Sequence, residues 1–215
     1  TDRVCQRDTA RRIDALGITP YVTDSGLQTV GVGRIEVLPR RVLVVQERRE
    51  GELIDDSAGV RFVSMPLNYL GYRVDFAETR DVLPEITPDR YAGVVVWANG
   101  NFSQNPGRFL EWIEKRIGQG IPVAFMNGFG AQPAGAMARM LSLKTVKGRV
   151  AGPVQIVSQD KMMGFEQPVA PDRTEALPIQ VQDDAPNTRS LLRLRSGALT
   201  YDAAAIMPWG GYVSP

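Results

Sequence analysis

Three short apolar runs set the architecture of this chain. They are Arg41-Val42-Leu43-Val44-Val45-Gln46, Tyr91-Ala92-Gly93-Val94-Val95-Val96-Trp97 and Gly120-Ile121-Pro122-Val123-Ala124-Phe125. None alternates between apolar and polar residues. A strand with one face in water alternates, whereas a continuous β-branched run is the pattern of a strand covered on both faces, as in a parallel sheet. Tyr72–Phe76 adds a further strand. Between the runs lie helical patterns: residues 57–70, with Val60, Phe62, Val63 and Leu67 apolar and Pro66 splitting or kinking the helix; residues 107–118, with Phe109, Leu110, Trp112, Ile113 and Ile117 inward and Glu111 and Lys115 paired outside; and residues 133–141. Gly71 suits a helix C-terminal cap. The order over 41–141 is βαβ(loop)βαβα, which predicts an α/β fold of flavodoxin-like type, a parallel sheet with helices on both faces.

The flanks read differently. After residue 147 shorter strands, at Val150, Val154–Val157, Leu177–Val181, Leu191–Arg195 and Ala198–Met207, are broken by Pro, Gly and Asp. They predict a β-rich C-terminal extension at the edge of the sheet or a small β region. Residues 2–16 carry Val4, Ala10, Ile13 and Leu16 at helical spacing before Gly17, and Ile18–Val22 reads as a strand. Gly31, Gly33 and Pro39 mark an irregular linker. The expected division is therefore 1–40, a last helix and strand with no sheet of their own, and 41–215, the α/β domain. The start at Thr1 and the end at Tyr212-Val213-Ser214-Pro215 read as those of an excised piece of something longer.

Composition narrows the chemistry. The 215 residues contain no histidine and one cysteine, Cys5, read as a small buried hydrophobe. Ser-His-Asp and Cys-His mechanisms both need an imidazole base, and histidine or multi-cysteine metal sites need ligands this chain lacks. Lys+Arg 25 against Asp+Glu 24 leaves a net charge of +1, so no strong field favours nucleic acid or an anionic membrane. No apolar run reaches the roughly 20 residues that span a bilayer, and no signal peptide is visible. Gly31-Val32-Gly33 is not a dinucleotide fingerprint, because no strand–helix turn surrounds it and the third glycine is missing. Asp55-Asp56 and Asp183-Asp184 are adjacent carboxylates whose side chains point apart. Met162-Met163 and Trp209 read as packing residues. No cofactor and no metal is implied.

In an open parallel sheet, ligands bind beyond the carboxyl ends of the strands where the strand order reverses. The side chains expected there are Gln46 and Glu47 after the first strand, Trp97, Asn99 and Asn101 after the third, and Asn127 after the fourth. Amides, a carboxylate and an indole suit carbohydrate. The same residues are equally ordinary turn residues and caps at loop ends.

The stretch Pro122-Val123-Ala124-Phe125-Met126-Asn127-Gly128-Phe129-Gly130 is a strand running into a small-residue turn before a helix, the shape of a nucleophile elbow. It resembles the elbow of class I glutamine amidotransferases, where a Gly-x-Cys-x-Gly turn presents the cysteine. Here Asn127 stands where the family has Cys, the flanking glycines are shifted, and the family's His is absent. The resemblance implies the fold and argues against the activity. Two longer stretches add to it. Gly17-Ile18-Thr19-Pro20-Tyr21-Val22-Thr23-Asp24, through Gly31-Val32-Gly33, resembles the closing unit of a polygalactosaminidase-type (β/α)8 barrel. Residues 41–215 resemble the amidotransferase-like domain of the periplasmic hydrolase/deacetylases of Pel-type biofilm exopolysaccharide, and Ala203–Tyr212 is similar to the stretch leading toward their deacetylase domain. The resemblance implies a periplasmic parent protein acting on an amino-sugar polymer, and it places none of that parent's catalytic residues here.

The expected function is a non-catalytic amidotransferase-like module that orients neighbouring hydrolase and deacetylase domains or binds the polymer. Its ligand residues would be Glu47, as a charge for a cationic amino sugar, Trp97 as a stacking face, and Asn99 and Asn127 as hydrogen-bonding amides. Two rivals stand beside it. One is a hydrolase using carboxylates such as Glu47 and Asp24 facing each other about 5–9.5 Å apart. The other is a structural spacer between domains.

Overall fold

The structure, a computed structural model, describes residues 39–144, 149–151, 177–183 and 185–214 in full. It describes the backbone alone at 12–13, 19–23, 26–30, 35–36, 154–156 and 175–176. The largest sheet among them has eight strands; four two-stranded sheets stand apart from it. Its strands are β1 (Arg41–Gln46), β2 (Arg73–Glu78), β3 (Gly93–Trp97), β4 (Val123–Met126), β5 (Val154–Ile156), β6 (Arg189–Ser196), β7 (Leu199–Met207) and β8 (Gly210–Val213). Across the sheet the order is β5-β6-β7-β8-β4-β3-β1-β2. The neighbours from β8 to β2 are parallel, and those from β5 to β8 are antiparallel. The chain is thus mixed α/β, with a parallel half and a β-rich C-terminal half that continues the same sheet.

Pleating sends alternate side chains to opposite faces. Leu43, Val45, Val94, Val96, Val123, Phe125 and Tyr212 share one buried cluster with Phe109, Trp112 and Ile113 of α2 (Pro106–Gly118) and Met137 of α3 (Gly135–Met140). On the other face of β1, Val44 and Gln46 meet Gly59, which opens a π-helical turn, Gly59–Ser64, running into the short helix α1 (Met65–Tyr69). Helices therefore cover both faces of β1, and this explains its continuous apolar run.

The π-helical turn changes which residues of 57–70 point inward. Its wider turn buries Gly59, Val63 and Ser64, spaced i, i+4, i+5. Phe62, one of the apolar positions of the 57–70 pattern, is 60% exposed. Pro66 stands where the π-helical turn passes into α1; lacking an N–H, it cannot continue the preceding hydrogen-bond ladder. In α2 the inward positions are Phe109, Trp112, Ile113 and Arg116. Arg116 is wholly buried; its Nη1 donates to Ile86 O at 2.8 Å and its Nη2 meets Glu85 at 2.7 Å. The expected Glu111–Lys115 pair is replaced, because Lys115 reaches Glu85 at 3.0 Å instead.

β8 was not legible as a strand. Gly210-Gly211 has poor strand propensity, yet only glycine fits: a Cβ on Gly210 would stand 2.0 Å from Val123 O. Trp209 is buried, as expected, and its Nε1 donates to Leu141 O at 3.0 Å. Asp183 pairs with Lys144, and Asp55-Asp56 lie in a one-turn 3-10 helix. Arg12–Ile13 form a short strand antiparallel to Ile35–Glu36, so the helix expected over 2–16 does not hold there. Ile13 and Ile35 are β-branched, a residue type that favours extended backbone. The strand expected at 18–22 is Thr19–Thr23, and it pairs with Gly26–Val30. Cys5, Asp24, Gly31–Gly33, Met162-Met163 and Asp184 lie outside the described residues.

Candidate functional site

β1 sends the chain to a helix on one face of the sheet, and β3 sends it to α2 on the other. A crevice opens between diverging connections of this kind at the carboxyl ends of the strands. A cavity of about 280 Å³ lies there. Glu47, Trp97 and Asn99, three of the four residues named from sequence, line it together with Gln46 and Asn101. Asn127 is not in the lining. It joins the site through Asn99, whose Oδ1 accepts a hydrogen bond from Asn127 Nδ2.

The floor is a buried polar network. Gln46, 2% exposed, donates from Nε2 to Ser57 Oγ at 3.1 Å and to Glu78 Oε1 at 3.3 Å. Its Oε1 accepts the Gly59 N–H at 3.1 Å. Glu78 accepts Arg48 Nε at 2.6 Å and the Arg48 N–H at 3.0 Å. Arg48 in turn donates from Nη1 to Glu52 O at 3.0 Å, which closes the loop after β1. Glu78 and Arg48 are absent from the sequence reading. The strand pattern of β2 fades after Phe76, and the pairing spans thirty residues, so no local spacing signals it.

The walls are two loops tied together. Glu47 accepts the Ser103 N–H at 2.8 Å and the Ser103 hydroxyl at 2.7 Å, which pins the loop after β3 to the loop after β1. Phe102 N–H donates to Gly130 O, and Asn101 bridges Gly130 in parallel fashion, which pins the same loop to the turn after β4. Gly130, at φ +72, has no room for a Cβ, which would stand 2.2 Å from the Phe102 ring. This close approach brings Asn99 beside Asn127. Asn127 itself has φ +64 at the carboxyl end of β4, and its N–H donates to Val213 O at 2.8 Å.

Formal charge in the cavity balances: Arg48, Arg49 and Arg61 against Glu47, Glu52 and Asp56. Each of these carboxylates is engaged by a named donor, Glu47 by Ser103, Glu52 by the Arg49 N–H at 2.9 Å and Asp56 by Arg61 at 3.1 Å. One face of Trp97 is taken by Phe62, stacked at 5.3 Å between ring centroids and 16° between planes. Its indole N–H is buried and has no partner among the described residues. Phe62, named from sequence only as an apolar position of a helix and not as a site residue, lines the cavity as an exposed aromatic.

Among the described residues no group of three or more His, Cys, Asp or Glu is placed to hold a metal ion, and no helix is long and apolar enough to cross a membrane. A comparison with protein-family models finds no match, and no curated protein matches the chain.

Proposed function

We propose that this chain is a non-catalytic, amidotransferase-like binding module with a flavodoxin-like fold, and that its crevice between β1 and β3 holds a segment of an amino-sugar polymer. The observation that carries the reading is the turn at Asn127. A left-handed residue at the end of a parallel strand is the backbone geometry that presents a nucleophile in an elbow, and here it presents an amide tied to Asn99. The parallel strands in the spatial order β2-β1-β3-β4-β8 support the flavodoxin-like part of the proposal. The cavity offers what a sugar uses: amides for hydroxyl groups, and an apolar wall of Phe62 and Trp97. In the parent protein, of the Pel-type exopolysaccharide class and periplasmic, the module would present polymer to the domains on either side.

A hydrolytic role is less well supported. Asp24 lies outside the described residues, and the cavity's carboxylates are held by donors of their own chain. The test is to incubate the chain with partially deacetylated amino-sugar oligomers and follow both calorimetric binding and product masses. Heat of binding with unchanged oligomers is the expected result, and Asn99→Ala lowers the affinity. Shortened or deacetylated oligomers, or no binding at millimolar ligand, overturn the reading.

A further inference from the structure

The exposed apolar surface is concentrated on one unit. Of the ten large hydrophobic residues exposed among the described residues, six lie between 53 and 70: Leu53, Ile54, Phe62, Met65, Tyr69 and Leu70. Phe62, Met65 and Tyr69, at 60%, 65% and 92% exposure, follow one another along the 59–69 helical segment, with Met65 and Tyr69 one α-helical turn apart at i, i+4. Aromatic side chains carry about 150–250 Å² each, so Phe62 and Tyr69 alone, at 60% and 92% exposure, present on the order of 300 Å². With Met65 between them, the stripe is comparable in size to the largest patch on a typical monomer, roughly 300–600 Å², which is often an interaction site.

We propose that this stripe is the interface of an isologous homodimer, in which the 59–69 helices of two copies pack antiparallel about a twofold axis beside Met65 and Pro66. This goes beyond the binding reading above and does not rest on it; Phe62 is common to both, so Met65, which does not line the crevice, carries the test. Two features select a second copy as the occupant. The stripe is self-complementary under a twofold: an aromatic residue stands at each end and Met65 at the middle, so Phe62 of one copy covers Tyr69 of the other. The ends also carry opposite charge. Exposed Asp55 and Asp56 precede the helix, while exposed Arg40, whose guanidinium sits against Gly71, and Arg73 lie at its far end. Antiparallel packing sets the acidic end of each copy against the basic end of the other. Within the chain, Asp56 meets Arg61 at 3.1 Å and Arg73 meets Asp75 at 3.8 Å; both pairs are exposed, where screening leaves such contacts weak.

The experiment is sedimentation velocity on the 215-residue chain from about 1 to about 200 µM. A dimer is expected, and Met65→Lys, which sets two like charges face to face across the axis, raises its dissociation constant at least about tenfold. Circular dichroism melting checks that the variant folds, as an exposed position allows. In a Cys5→Ser background, Met65→Cys is expected to cross-link on mild oxidation, because the twofold brings the two positions within disulfide reach. Asp55→Lys and Arg73→Glu each weaken the dimer, and the pair together restores it. A monomer throughout the range, or a dimer indifferent to Met65→Lys, overturns the proposal. A dimer that Met65→Lys weakens but that shows neither cross-linking nor charge rescue overturns the antiparallel arrangement.

Discussion

Replacing Gly59 by Ala tests whether the floor of the crevice is as tightly determined as its geometry implies. The new Cβ would stand 2.3 Å from Gln46 Oε1 and 3.1 Å from Val44 Cγ1, where ordinary contact begins at 3.4 Å. Val44 is fully buried in the sheet, so Gln46 must retreat by about 1 Å. The retreat breaks the 3.1 Å bond that Oε1 accepts from the Gly59 N–H and disturbs the Nε2 bonds to Ser57 and Glu78. Overpacking costs about 1–3 kcal/mol and a buried polar group left without its partner about 1–3 kcal/mol. The lower chain entropy of Ala in a helix returns about 0.5–1 kcal/mol. The net expectation is a loss of about 2–4 kcal/mol. Urea unfolding followed by tryptophan fluorescence reads this as a midpoint lower by about 1 M, for a slope of about 2–3 kcal/mol/M. Gly118→Ala is the control: its Cβ meets nothing within 4 Å, so the same exchange is neutral or stabilising there. A Gly59→Ala midpoint at or above that of the parent chain would falsify this account of the floor.

Three further outcomes follow from the same packing. Gly130→Ala, at φ +72 with a Cβ 2.2 Å from the Phe102 ring, lowers stability by about 2–4 kcal/mol and moves the Asn99 and Phe102 amide resonances; unchanged spectra would show that the two loops are not locked together. Trp209→Phe keeps the aromatic contact with Phe125 but leaves Leu141 O without the indole donor, a loss of about 1–3 kcal/mol by chemical unfolding; no loss would mean that the carbonyl finds another donor at no cost. Hydrogen bonds from Arg116 and then Lys115 hold the Glu85 carboxyl below the ordinary value of 4.5. A carboxylate with a depressed folded-state pKa stabilises above its unfolded pKa, and that stability is lost as pH falls through the folded value. The advantage of the parent chain over Glu85→Gln is therefore constant from neutral pH to about pH 5 and shrinks below it; an advantage that grows on acidification contradicts the sign.

Three strands of the parallel half, β1, β3 and β4, were legible because each is a short run of apolar residues without polar alternation. The crevice was legible for the same reason: once the strands are placed, their carboxyl ends place Glu47, Trp97 and Asn99. What escaped was set by contacts distant in sequence. β8 has glycines where strand propensity asks for β-branched residues, because its backbone passes too close to β4 for a side chain. Phe62 faces outward because the π-helical turn shifts the inward set to Gly59, Val63 and Ser64. Arg48 and Glu78 meet only because β1 and β2 are neighbours, and Lys115 leaves Glu111 for Glu85 because Arg116 has already drawn the 85–86 segment against α2.

The central claim is that the crevice between β1 and β3 binds a sugar polymer without turning it over. An NMR titration of the ¹⁵N-labelled chain with partially deacetylated amino-sugar oligomers addresses it most directly. Shifts confined to residues 46–49, 57–62, 97–103 and 127, saturating with ligand, are the predicted result. Shifts that map elsewhere, or none at millimolar ligand, contradict it.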